Sequence, residues 1–283
     1  MLRIAIQAKG RLSEKCITLL EEVGIKICAS KRTLLATSTT FPAEILFLRD
    51  DDIPQAVADG VANVGIVGEN EFIEKRQNAT IIKRLGFSRC RLSLAIPKEE
   101  EYNTINWFAN KKIATSYPSI LTEFLKKNNI KSDIHVINGS VEIAPGIGLA
   151  DAIFDIVSSG STLVNNHLKE VEIVMQSEAI LIANNKLLKN QTEILDELVF
   201  RINAVQTAEN KKYILLNAPD NKLEEIFNIL PGMKSPTVMP LAQEGWSSVH
   251  SVIEEKSFWE VIGQLKTAGA EGILIIPIEK MIL

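Results

Sequence analysis

Three cysteines, Cys16, Cys28 and Cys90, are all that the 283-residue sequence holds, an odd number at spacings that match neither a zinc site nor a redox motif. Reduced, partly buried thiols are expected. Histidine is as scarce: His135, His167 and His250 stand apart from one another and from Cys or acidic neighbours at ligand spacing, so no metal site built by the protein alone is expected. No run of like charge exceeds a few residues, and 31 Lys+Arg against 35 Asp+Glu give a net charge of -4. No basic stripe is left to neutralise a nucleic-acid backbone. The longest apolar stretches, such as residues 272–276, fall far short of a bilayer span, so no membrane partner is expected. The first six residues enter an alternating pattern without the charged region, apolar core and cleavage site of a signal peptide, and a cytoplasmic location is expected. A Ser-His-Asp pattern, a Walker loop and a Rossmann glycine fingerprint are missing too.

What is present is ordinary globular usage, 46% hydrophobic and 23% charged, with a length that favours two or three domains of roughly 100 to 200 residues each. Strand-like and helix-like runs alternate at residues 2–7, 12–23, 44–48 and from Ile53, the βαβ rhythm of a mostly parallel sheet covered by helices. A second α/β block starts near Ile96 and Pro97, with strands at 112–116, 133–137 and 153–157 and a helix at 119–128. The polar residues 98–103 suit a crossover between two lobes, and the chain is expected to return to the first lobe near residue 180. A long helix is predicted over 192–207. The last 75 or so residues follow another plan, βαββαβ, the order of a ferredoxin-like module. Its second helix carries a capping box, Ser257-Phe258-Trp259-Glu260, with Gly269 as a stop, and Phe258 and Trp259 are expected in the core.

Chemistry concentrates at the ends of strands. Around residues 148–163 an apolar strand ends in a loop of small hydroxyl residues and then enters a helix. Gly160 lets the backbone turn, loop amides point at an anion, and Ser158, Ser159, Ser161 and Thr162 add hydroxyl donors, which makes a phosphate cradle. Asp151 and Asp155, just upstream, can accept from sugar hydroxyls or stand near a phosphate-bound Mg²⁺. Together they fit a phosphorylated sugar. The alternative is a plain βα turn with an N-cap serine.

A second cluster follows the strands of the first lobe: Lys9-Gly10-Arg11, Arg49-Asp50-Asp51-Asp52 and Gly65 to Asn70 all stand where α/β sheets bind ligands. Lys9, Arg11 and Arg49 can hold phosphates, with Glu69 and Asn70 reading a ring or hydroxyl. Asp52 is also expected to cap the helix that begins Ile53-Pro54. Arg84, Arg89 and Arg91 read as outward strand residues, and Cys90 as a small core residue with no adjacent base.

Several of these stretches, in order, resemble the long form of the ATP phosphoribosyltransferase family of histidine biosynthesis, which carries a C-terminal regulatory domain. The matching residues are Lys9 to Leu12, Arg49 to Pro54, Gly65 to Asn70, Cys90 to Ala95, Ala114 to Pro118, Gly139 to Pro145 and Gly148 to Leu163, with Leu230-Pro231-Gly232, Ser235-Pro236-Thr237 and Ile276 to Met281 in the C-terminal module. Two departures stand out: Ser159 where Thr is expected, which keeps the hydroxyl, and Ser88 where Gly is expected. The resemblance implies an α/β fold with a two-lobed, periplasmic-binding-protein-like catalytic part and a C-terminal ferredoxin-like regulatory domain. Its expected boundaries are 1–95 with 180–208 for lobe I, 96–179 for lobe II and 209–283 for the histidine-sensing domain. It implies that adenine N1 of ATP displaces pyrophosphate from phosphoribosyl pyrophosphate, giving phosphoribosyl-ATP. Lys9, Arg11, Arg49 and Asp155 would take catalytic roles. Glu69, Asn70, Glu142, Asp151, Ser158, Ser159, Gly160, Ser161 and Thr162 would bind substrate, with Mg²⁺ arriving on its phosphates. Feedback inhibition by L-histidine at Asn217, Ser235, Thr237 and Ala270, and dimers that assemble into hexamers, are implied as well.

The competing class is a two-lobed small-molecule binding protein with a sensing domain and no catalysis, which the first 210 or so residues suit equally in fold. The phosphate loop with its upstream carboxylates argues for a phosphoribosyl substrate. A DNA-reading regulator would need a helix pair and a basic face that the sequence does not show.

Overall fold

The computed structural model describes residues 1–27, 33–230, 232–233 and 235–283, which leaves the expectation for Cys28 and that for Pro231 outside the described residues. The chain divides into two compact units, residues 1–195 and 196–283.

The first unit opens with β1 (Leu2–Gln7), α1 (Arg11–Glu22), β2 (Leu35–Thr37), β3 (Ala43–Leu48), α2 (Ile53–Ala58), β4 (Val64–Gly68), α3 (Glu69–Lys75) and β5 (Ala79–Arg84). It continues through β6 (Cys90–Pro97), β7 (Lys112–Thr115), α4 (Pro118–Lys127), β8 (Asp133–Val136), β9 (Ala152–Val157), α5 (Ser161–Asn165), β10 (Leu168–Ser177) and β11 (Ala179–Asn184). Two sheets result, ordered β2-β3-β1-β4-β11-β5 and β10-β6-β9-β7-β8. In the first, β3, β1 and β4 run parallel. In the second, β9, β7 and β8 do. The apolar runs of β1 and β4 are buried on both faces, as strands covered by helices on each side must be. Each sheet has its own core, with Ile53, Val57, Val67 and Ile182 in the first and Leu92, Leu94, Phe108, Leu121 and Phe154 in the second.

The chain rejoins the first sheet at β11, near residue 180 as expected, but its outward crossing differs from that read in the sequence. β6 pairs with β9 and β10, so residues 90–95 are hydrogen-bonded within the second sheet, and the chain leaves the first sheet between β5 and β6. Residues 98–103 are therefore no crossover: they follow β6 inside the second lobe, where the Lys98 amide donates to the His167 carbonyl. Ser88, in the true crossing segment, sits at φ +52, the left-handed region that glycine enters at no steric cost. The expected cap at Asp52 is absent as well. A 3-10 turn over Asp50–Asp52 runs straight into α2, which keeps Asp52 in helical geometry and its side chain off the helix amides.

Across the division between the units runs α6 (Lys189–Ala208), followed by β12 (Lys211–Pro219), α7 (Leu223–Ile229), β13 (Thr237–Pro240), β14 (Trp246–Glu254), α8 (Glu255–Thr267) and β15 (Glu271–Pro277). The strand order β13-β14-β12-β15 is antiparallel throughout, which is the ferredoxin-like arrangement. The alternation of β12 turns Ile214, Leu216 and Ala218 toward Ile226 of α7 and Leu265 of α8. Helix α8 starts at Glu255, so Ser257 lies inside its first turn and does not cap it. That phase also corrects the core assignment of Trp259, which is 79% exposed.

Candidate active site

Because β3, β1 and β4 are parallel, their carboxyl ends share one edge of the first sheet. Gly10 turns the chain out of β1 at φ +100 and leaves Lys9 and Arg11 exposed. Arg49, after β3, is exposed and pairs with Asp51 at 3.4 Å. Glu69 and Asn70, after β4, are buried and already engaged. Both Glu69 oxygens accept from Arg84, and Asn70 Oδ1 accepts from Ser177 Oγ at 2.8 Å while its Nδ2 donates to Tyr117 Oη at 3.2 Å. This edge thus offers three exposed cations, and the two polar residues expected to read substrate serve as braces.

The second sheet repeats the geometry: Ser116 and Tyr117 follow β7, residues 137–142 follow β8, and the hydroxyl loop follows β9, all at the carboxyl edge. Gly160 takes φ +81, and Ser158, Ser159, Ser161 and Thr162 are exposed. The N-cap of α5 is Gly160, which has no side chain; Ser159 Oγ meets Ser161 Oγ at 3.0 Å and accepts from the Ser161 amide at 3.4 Å. Arg91 of β6 grips Glu170 through two bonds of 2.5 and 2.6 Å and donates to the Ser158 carbonyl at 3.0 Å, tying the loop to the neighbouring strands. Asp151 is not part of this group. It precedes β9, at the opposite end of a six-residue strand, where it accepts from the Lys112 amide at 2.8 Å and borders a separate cavity of about 450 Å³.

Three carboxylates at the facing edges have their pKa raised. Burial, opposed in part by the Ile156 amide and reinforced by Glu142, takes Asp155 to about 6. Burial with Glu71 and Asp51 nearby takes Asp50 to about 7, and its Oδ1 has no partner among the described residues. Glu71 rises through burial, although Tyr117 Oη donates to it at 2.9 Å. Burial, Glu71 and, more weakly, Asp155 push Tyr117 up, so this phenol connects the carboxylates of both lobes. The two described thiols carry no such chemistry: burial raises both Cys16, which is fully enclosed, and the half-buried Cys90.

In the second unit, Asn217 stands opposite Ser248, and Thr237 opposite His250, on the sheet face away from the two helices. Ser235 is exposed just before β13, whereas Ala270 is buried in the helix-covered core. His250, which sequence reasoning passed over, is held on that open face between Tyr213 Oη at 2.6 Å and Ser248 Oγ at 3.1 Å. Its register against Thr237 on the adjoining strand places it beside the expected histidine-binding residues.

Residues 49–204 match the ATP phosphoribosyltransferase family, and residues 208–280 the C-terminal domain of the same family. The ATP phosphoribosyltransferase of Azobacteroides pseudotrichonymphae is 75% identical over 283 residues, the full length of both chains, and that of Bacteroides fragilis 69% over the same span. Among solved structures, a chain of the ATP phosphoribosyl transferase (HisG:HisZ) complex from Thermotoga maritima superposes with a TM-score of 0.63 at 27% identity, covering 71% of this chain and 96% of that one. With parallel strands delivering cations to one lobe edge and a hydroxyl loop to the other, and with relatives matching from end to end, this chain belongs to the ATP phosphoribosyltransferase family, the pentosyltransferases of histidine biosynthesis.

Proposed function

We propose that the protein joins ATP to phosphoribosyl pyrophosphate, adenine N1 displacing pyrophosphate from the anomeric carbon to give phosphoribosyl-ATP. The observation that carries this reading is the pairing of edges within the first unit: the exposed Ser158 to Thr162 loop with Asp155 on one lobe, and exposed Lys9, Arg11 and Arg49 on the other. The loop and its hydroxyls take the 5-phosphate, Asp155 accepts from the ribose hydroxyls, and the three cations stabilise the departing pyrophosphate. Displacement at an anomeric carbon passes through an oxocarbenium-like state, so no covalent nucleophile is required. Alignment and charge stabilisation supply the rate.

Among the described residues no three His, Cys, Asp or Glu side chains gather as metal ligands. Asp155 and Glu142 would provide the one or two hard oxygen donors that Mg²⁺ takes when phosphates and water complete its shell. Bound with the substrate, the ion would supply further neutralisation of the leaving group. L-Histidine binding at the open face bearing Asn217 and Thr237 would regulate the reaction from the second unit, in cytoplasmic homo-oligomers built from dimers. Pyrophosphate release on mixing ATP, phosphoribosyl pyrophosphate and Mg²⁺, with each omitted in turn, tests the central claim. Release is expected only with all three, and none with the complete mixture would refute it.

A further inference from the structure

Helix α4 begins at the carboxyl edge of the second sheet without a cap of its own. Tyr117 at its N-cap makes no side-chain capping bond, Pro118 has no amide hydrogen, and its first turn carries no acid. The cap comes from the other lobe. Glu74 of α3 accepts from the Ser119 amide with Oε1 at 2.8 Å and from the Ile120 amide with Oε2 at 3.0 Å. One carboxylate thus satisfies two orphan donors and places its charge at the positive end of the α4 dipole. Beside it, Arg76 donates to the Ser119 carbonyl at 3.2 Å and to Glu123 at 2.8 Å. At the other end of α3, Asn70 reaches Ser177 and Tyr117. The two sheets therefore meet through α3 and α4, directly beside the facing edges.

We propose that Glu74 is a positioning residue for the condensation: by capping α4 across the lobe boundary it sets the spacing of the two edges, and through it the alignment of the two substrates. This rests on the reading that the lobes hold different parts of the reaction. Under that reading the ribose and 5-phosphate of phosphoribosyl pyrophosphate bind on the second lobe, and the cations of the first act chiefly on the pyrophosphate as it departs, so single-substrate affinity depends less on the spacing than the rate does. The rate depends on it strongly, because a displacement of about 1 Å can cost on the order of a hundredfold. Glu74 touches no substrate in this scheme. It acts through the position of α4.

Full-length Glu74→Ala and Glu74→Gln test the idea by calorimetric titration of ATP alone and phosphoribosyl pyrophosphate alone, steady-state kinetics and small-angle scattering. In Glu74→Ala, kcat is expected to fall at least about tenfold with both dissociation constants within about twofold of wild type and a changed scattering profile. Glu74→Gln keeps one acceptor oxygen and should fall between. Arg76→Ala, which removes the ion pair with Glu123 and the bond to the Ser119 carbonyl but leaves both Glu74 bonds in place, should lower kcat less than Glu74→Ala does. An unchanged kcat in Glu74→Ala, or a loss matched by equal loss of single-substrate affinity, overturns the proposal. If Glu74→Ala does not fold, Glu74→Gln decides alone, and wild-type kcat in that variant has the same force. Lack of turnover in the wild type would instead count against the condensation, and the scattering comparison would still decide whether Glu74 sets the lobe spacing.

Discussion

Asp155 carries the most direct consequence of burial in the cleft. Its pKa of about 6 lies above the ordinary carboxylate value, so near neutral pH it is an anion held at a cost to the fold. The penalty is absent below about pH 4 and grows as pH rises through 6. In the proposed role of acceptor from ribose hydroxyls, the carboxyl is most effective as the anion. Hence kcat/KM for phosphoribosyl pyrophosphate is expected to rise with pH along a limb of apparent pKa about 6. The substrate phosphates titrate in the same range, and Asp155→Asn separates the two: the limb disappears if it belongs to Asp155 and persists if it belongs to the substrate. A persistent limb would remove the carboxylate from the ribose contact. Asp155 was legible because a strand ending in a hydroxyl loop announces itself within ten residues. The partners of Arg84 and Arg91 were not, since Glu69 and Glu170 lie 15 and 79 positions away. Ser88 falls between these cases: a position expected to be glycine does take a glycine-like φ.

At the scale of elements, periodicity identified most strands and helices but not β2 or α3, because β1, α1, β9 and the C-terminal βαββαβ run each have one dominant pattern of burial. Pairing was harder to read. β6 alternates no differently as the last strand of one lobe or the second strand of the next, and only its ladders with β9 and β10 decide. The α8 terminus failed for a related reason, since a Ser-x-x-Glu pattern is indifferent to whether the helix has already begun. The placement of β6 has a functional consequence, for it brings Arg91 to the loop. Lys at that position keeps the charge but loses the fork that holds Glu170 and the Ser158 carbonyl together. Hydrogen bonds to charged groups contribute about 1.5–3 kcal/mol, so Arg91→Lys should weaken phosphoribosyl pyrophosphate binding by about tenfold or more, with ATP binding alone unchanged. Equal affinities by titration calorimetry would show that the loop holds its shape without Arg91.

At the scale of the whole molecule, the net charge of -4 is no obstacle to the proposed binding of two polyphosphates, because phosphates can be met locally by Lys9, Arg11 and Arg49 at one sheet edge. Regulation by histidine would require a coupling free energy between the second unit and the cleft, and such coupling is reciprocal. Saturating histidine should weaken substrate binding by the same factor by which substrate weakens histidine binding, within the roughly 5- to 150-fold range that couplings of about 1–3 kcal/mol produce. Removing residues 211–283 should abolish inhibition while leaving the reaction. The cut also takes away most of the unit that contains the second half of α6, whose Leu198, Ile202 and Ala208 are buried in the intact chain, so solubility of the truncated chain is a separate demand. Full-length Asn217→Ala and Thr237→Ala meet that difficulty, since both side chains lie on the open sheet face, away from the helix-covered core. Each should weaken histidine binding at least about tenfold with uninhibited kcat unchanged, the loss expected when a polar group is left without its partner. Inhibition that survives in the truncated chain, or wild-type histidine affinity in both full-length variants, would place the inhibitor elsewhere.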